Sequence, residues 1–147
     1  MSSLGHILVA YDYSGPARRA LVLAGELRTA QDARLDMVHV VHDPYKDLEH
    51  PPRESVWGSR EETEAYLESL RARMRADVES TFGTAEAVGL HVVRDDIDEG
   101  VLNLARQLES DLIVVGTTGK RTVSRFLLGS VSTRLLHKSP IPVLTVP

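Results

Sequence analysis

Residues 110–132 read SDLIVVGTTGKRTVSRFLLGSVS, and this stretch decides the fold. Asp111-Leu-Ile-Val-Val-Gly116 is a continuous apolar run, too short for a helix, that ends at a glycine. Such a run is the mark of a strand buried on both faces, and a strand covered on both faces belongs to a parallel sheet with helices on either side. Downstream, a helix should begin near Gly129-Ser130 and end before Pro140, and Ile141 to Val146 should form a last strand.

The same alternation holds upstream. Ile7-Leu-Val-Ala-Tyr11, ended by Asp12, reads as a first buried strand. Ser14 is the expected N-cap of a helix from about Pro16 to Ala30, with Ala17, Leu21, Ala24 and Leu27 on one face. Leu35 to Val41 reads as a second strand, and His42 to Gly58, with Pro44, Pro51 and Pro52, as a long loop. Ser59 and Glu62 make a capping box ahead of a helix striped by Leu67, Leu70, Met74 and Val78 and stopped at Gly83. Leu90 to Val93 predicts a third strand, and Asp98 to Leu108 a short helix carrying Val101, Leu102, Ala105 and Leu108. The order βαβαβαβαβ is that of an α/β fold, a parallel sheet with helices on both faces. A chain of 147 residues has room for one such domain, spanning 1–147.

Composition narrows the function. With no cysteine there is no disulfide framework, thiolate metal site or cysteine nucleophile. The opening MSSLGHILVAYD lacks a leader pattern, and no apolar run approaches the roughly 20 residues of a membrane span, so a cytoplasmic protein with no membrane partner is expected. A net charge of -4 argues against nucleic-acid binding. The charge is unevenly placed. After Asp111 there is no acidic residue, while Lys120, Arg121, Arg125, Arg134 and Lys138 follow, so a small anionic ligand should favour the C-terminal part.

Gly116-Thr-Thr-Gly119 followed by Gly129-Ser130 gives the spacing G-x2-G-x9-G-S. Gly116 at a strand end and Gly119 after a two-residue turn would let the backbone take positive φ and approach a ligand without a Cβ in the way. Gly129-Ser130 opens a helix, where unpaired N–H groups and the positive end of the helix dipole attract phosphate. Hydroxyls of Ser130 and Ser132 add hydrogen bonds, and Lys120 and Arg121 add full charge. The other reading is that the glycines serve only tight turns in a loop anchored to the core by Phe126, Leu127 and Leu128.

The chain resembles the universal stress protein family, in the ATP-binding branch that carries this same G-x2-G-x9-G-[ST] pattern. The resemblance extends to the opening ILVAYDYS, the second strand ending His39-Val40, the run SDLIVVGTTG and the ending GSVSTRLLHKSPIPVLTVP. It implies a five-stranded parallel sheet in the order 3-2-1-4-5, a Rossmann-like fold, with a nucleotide at the C-terminal ends of strands 1 and 4, the topological switch point. By the same resemblance Asp12 should bond the ribose hydroxyls, the backbone at Val40 should recognise adenine, and Ala10 should add a wall. Gly116, Thr117, Gly119, Gly129, Ser130, Val131 and Ser132 should surround the phosphates of ATP, bridged by Mg2+ held in part by hydroxyls and water. In that strand order Ile141 to Val146 lies at an apolar sheet edge, which invites a homodimer, and family members commonly pair there.

Three features depart from the family. Its frequent Gly-x-Pro turn after the third strand is Asp95-Asp96-Ile97 here, whose acids would narrow the pocket or help to hold a metal ion. Its common Asp-Gly-Ser is Asp12-Tyr13-Ser14, a change expected to matter little because Asp12 is kept. The loop from His42 to Gly58 has no counterpart. Other signals are set aside: position 114 is Val and 121 is Arg, against the needs of a Walker A motif; Asp12 alone does not make a receiver-domain acidic pocket; and the six histidines show no i, i+4 metal pair. No Ser-His-Asp arrangement has local support, and Trp57 is read as a cover for the core. The expectation is an ATP-binding regulatory module in stress response, not a fast enzyme. The alternatives are a slow Mg-dependent ATPase or phosphotransferase using Asp12, Asp95 or Asp96, and a structural dimer with a vestigial pocket.

Overall fold

A computed structural model describes residues 3–50, 58–117 and 128–147. The elements run β1 (His6–Ala10), α1 (Gly15–Gln31), β2 (Arg34–His42), α2 (Arg60–Phe82), β3 (Val88–Asp95), α3 (Ile97–Gln107), β4 (Leu112–Gly116), α4 (Ser130–Lys138) and β5 (Val143–Val146). They form one sheet in the order β3-β2-β1-β4-β5, with every pairing parallel. The expected fold is therefore observed.

Central β1 is buried along its whole length, and alternation of its side chains supplies two cores. Ile7, Val9 and Tyr11 join Leu35, Met37 and Val114 beneath α1 and α2. Leu8 and Ala10 join Val38, Val40, Ile113 and Val115 beneath α3 and α4. Helix boundaries follow the local chemistry. Ser14 caps α1 through a bond from the Ala17 amide, and Ser59 and Glu62 form the complete capping box of α2. Gly83, at φ 81°, closes α2 in the left-handed conformation that a glycine adopts without steric cost.

Most boundaries differ by a residue from the sequence reading, and three differences are instructive. β3 begins at Val88 and runs to Asp95, because its full length pairs with β2, from Leu35↔Val88 to His42↔Asp95. α3 starts at Ile97, one residue early, with Asp96 as N-cap. β5 starts only at Val143, after Pro142, which has no N–H to give to a ladder. Of the α2 stripe, Leu70, Met74 and Val78 are buried, while Leu67 is half-buried. Among the described residues no helix is long and apolar enough to cross a membrane.

Candidate functional site

β1 and β4 diverge at their C-terminal ends because β1 leads into α1 on one face of the sheet, and β4 leads toward α4 on the other. The gap between them, roofed by α3, is a cleft of about 590 Å³, within the range of small-molecule sites. Its apolar wall is Ala10, Val38, Val40, Ile97, Val101 and Val115, and its far end is Thr117 with residues 129–132.

Asp12, exposed, enters the cleft just past β1, and its Oδ1 accepts a hydrogen bond from the Ser14 amide at 3.0 Å. Ala10 and Val40, 8% and 6% exposed, form the floor. At the opposite end the Thr117 amide donates to the Val146 carbonyl at 2.8 Å and the Gly129 amide donates to the Thr117 carbonyl at 2.6 Å, so β5 and the start of α4 are tied at one point. Among the described residues no side chain caps α4. The amides of its first turn have no intrahelical partner and stand at the cleft lining, an arrangement suited to anionic oxygens.

Of the sequence-predicted site residues, the structure brings Ala10, Asp12, Val40, Gly116, Thr117, Gly129, Ser130, Val131 and Ser132 to one cleft. Gly119, Lys120 and Arg121 lie outside the described residues, as does Trp57. Two roles differ from expectation. The described glycines with positive φ are Gly58 and Gly83, so Gly116 is not there for that freedom; a Cβ on it would stand 2.8 Å from Pro16 Cβ and 2.9 Å from the Ala17 nitrogen. Gly116 lets α1 pack against the end of β4. Ser132, 2% exposed, turns its hydroxyl inward, within 2.9 Å of the Thr117 carbonyl and 3.0 Å of the Gly129 carbonyl. Its O–H proton is engaged in fixing the turn, which leaves its lone pairs. Leu128, expected as a core anchor in the turn-only reading, is 47% exposed.

The acids from the end of β3 into the first turn of α3 are also not free. The Lys46 ammonium lies 2.5 Å from Asp95 Oδ1, 2.9 Å from Asp96 Oδ2 and 3.3 Å from Glu99 Oε2. Burial is the largest influence on the Asp95 carboxyl and pushes it up, but the bond and charge of Lys46, the Asp96 amide and Asn103 together outweigh it and hold the group below the usual carboxylate range, while the carboxylates raise Lys46. The three carboxylates converge closely enough to suit a metal ion, yet the cation they hold is the protein's own. Lys46 thereby ties the segment after β2 to the N-terminus of α3 at the mouth of the cleft.

Sequence reasoning missed the side-chain network at the far end of the same sheet face. His6 Nε2 and His91 Nε2 each lie 2.7 Å from one oxygen of Asp36, and His6 Nδ1 lies 2.8 Å from Ser110 Oγ. This is a Ser-His-Asp sequence of contacts, but Ser110 and His6 are 7% and 1% exposed and neither lines the cleft, so it joins β1, β2 and β3 to the end of α3.

The universal stress protein family model matches residues 4–147. A universal stress protein of Thermus aquaticus is 32% identical over 146 residues, covering 95% of this chain and 96% of its own length. The chain belongs to the universal stress protein family. UspA of Lactobacillus plantarum has the same fold, with a TM-score of 0.77 at 22% identity over the whole of both chains. Two further universal stress proteins share the fold. One, solved in complex with cAMP, has a TM-score of 0.67 at 22% identity, covering 99% of this chain and 98% of its own. The other, from Archaeoglobus fulgidus in complex with dAMP, has a TM-score of 0.64 at 17% identity, covering 99% and 100%. Within this universal stress protein the cleft lies where an open α/β sheet reverses its winding, the usual place for a ligand in such folds.

Proposed function

We propose that this universal stress protein binds an adenine nucleotide, ATP by the glycine pattern, in the β1/β4 cleft and acts as a nucleotide-dependent regulatory module in stress response. The observation that carries this reading is the polarity gradient of one cavity: an apolar wall from Ala10 to Val101, a carboxylate at Asp12, and the uncapped start of α4 at the far end. A flat base suits the first, ribose hydroxyls the second, and phosphate oxygens the third. Relatives of the same fold solved with cAMP and dAMP support an adenine nucleotide as the ligand class.

Magnesium would ride on the phosphates, contacted by hydroxyl groups such as Ser130 and by water. Asp95 and Asp96 share the Lys46 ammonium and stand outside the cleft lining, so they do not favour the phosphotransferase reading. Rapid turnover also requires a group that orients the attacking water, and the Asp12 carboxylate stands with the ribose in this reading. Calorimetric titration with ATP, ADP, AMP and cAMP, with identification of any nucleotide released on denaturing freshly purified protein, tests the proposal. Asp12→Ala should weaken binding by about ten-fold, as loss of a hydrogen bond to a charged group would. Failure of all four nucleotides to bind would overturn the reading, and turnover of many equivalents per minute would replace the module with an enzyme.

A further inference from the structure

Tyr13 follows Asp12 between β1 and α1, and the structure shows what it does there. Its φ is 64°, in the left-handed region that a residue with a Cβ adopts only under constraint from its surroundings. The constraint comes from α2. Tyr13 is 6% exposed, its hydroxyl donates to the Leu70 carbonyl at 3.0 Å, and the Arg73 guanidinium lies 4.2 Å from its ring centroid. Its ring meets those of Tyr11 and His39 edge-on, at 5.0 and 4.9 Å. Tyr11 in turn donates to Asp77 at 2.5 Å, and His39 Nδ1 lies 2.8 Å from the Tyr11 carbonyl. Leu70, Arg73 and Asp77 recur at helical spacing, so a single stripe of α2 grips both residues that flank Asp12.

Asp12 and Tyr11 both line the cleft, while the Tyr11 and Tyr13 side chains are clamped to α2 in the core on the other side of the sheet. We propose that Tyr13 is a positioning residue that couples the cleft to α2: docking of α2 sets the orientation of Asp12 toward the ligand, and occupancy of the cleft in turn tightens α2. This rests on the nucleotide reading of the cleft and adds to it the element that reports occupancy. Glycine would adopt the same φ without strain but would give α2 nothing to hold. Because coupling between two sites is reciprocal, the factor by which a docked α2 raises affinity is the factor by which nucleotide stabilises the docked helix.

The test is hydrogen exchange across residues 60–82 with and without ATP, alongside calorimetric affinity, in the wild type, Tyr13→Gly and Arg73→Ala. In the wild type ATP should slow exchange in α2 by about five-fold or more, and Tyr13→Gly should abolish that dependence and weaken affinity by a similar factor. Arg73, exposed and outside the cleft lining, keeps the test open if Tyr13→Gly fails to fold. Arg73→Ala should weaken affinity about two- to five-fold, the worth of one cation–π contact. ATP binding that leaves α2 exchange unchanged, or unaltered affinity in the folded variants, overturns the coupling alone. A wild type that binds no nucleotide overturns the reading of the cleft, and the coupling falls with it.

Discussion

At Gly116 a residue expected to serve the ligand serves packing as well, which changes what its substitution reports. A Cβ there meets backbone atoms of α1 that cannot swing away, so Gly116→Ala should lower unfolding stability by about 1–3 kcal/mol, as measured by urea unfolding without nucleotide. Loss of binding in such a variant therefore does not by itself locate a phosphate. Asp36, Asp95 and Asp98 carry a second prediction. Burial pushes each carboxyl up, but His6 and His91 at Asp36, Lys46 with a backbone amide and Asn103 at Asp95, and Lys138 and Arg134 with a backbone amide at Asp98 together outweigh it and hold each below its ordinary value. A carboxylate depressed in the folded state contributes stability that is present above its unfolded value near about 4 and withdrawn as the pH falls through the folded value. The melting temperature should fall steeply below about pH 4, and Asp98→Asn should flatten the fall. Thermal melts of both proteins from about pH 3 to 7 check this; parallel profiles would contradict it.

At the scale of elements, α2 is tied down at both ends by local devices and in the middle by tertiary ones. Its capping box satisfies two end groups reciprocally, so Ser59→Ala should cost about 1 kcal/mol in denaturant unfolding. The segment after β2 is held differently. Lys46 links it to Asp95, Asp96 and Glu99 beside the cleft mouth, so Lys46→Ala should release that tie and raise both association and dissociation rates of nucleotide. Stopped-flow binding measures both, and unchanged rates would show that the segment does not govern access.

At the scale of the molecule, among the described residues β5 is paired on one side only, to β4, and Val143, Leu144 and Thr145 remain half-buried. An apolar edge strand with unpaired backbone groups invites a second copy, so the protein should sediment as a dimer at micromolar concentration. A monomer with and without nucleotide would contradict this. The Thr117 amide bond to Val146 ties that edge directly to the cleft lining.

The order of elements, the parallel sheet and the family were all legible in the sequence, because short apolar runs, capping serines and glycine stops act on their near neighbours. The floor of the cleft at Ala10 and Val40 was expected on other grounds, since the family resemblance supplied both the strand order and these positions. Only the tertiary structure decided that Lys46 neutralises an acid 49 positions away, that Asp36 is shared by histidines 30 and 55 positions off, and that Tyr13 is held by a carbonyl 57 residues later. Each of these pairs joins polar groups brought together by packing across strands and helices. Periodicity cannot register them, since the residues share neither an element nor a repeat.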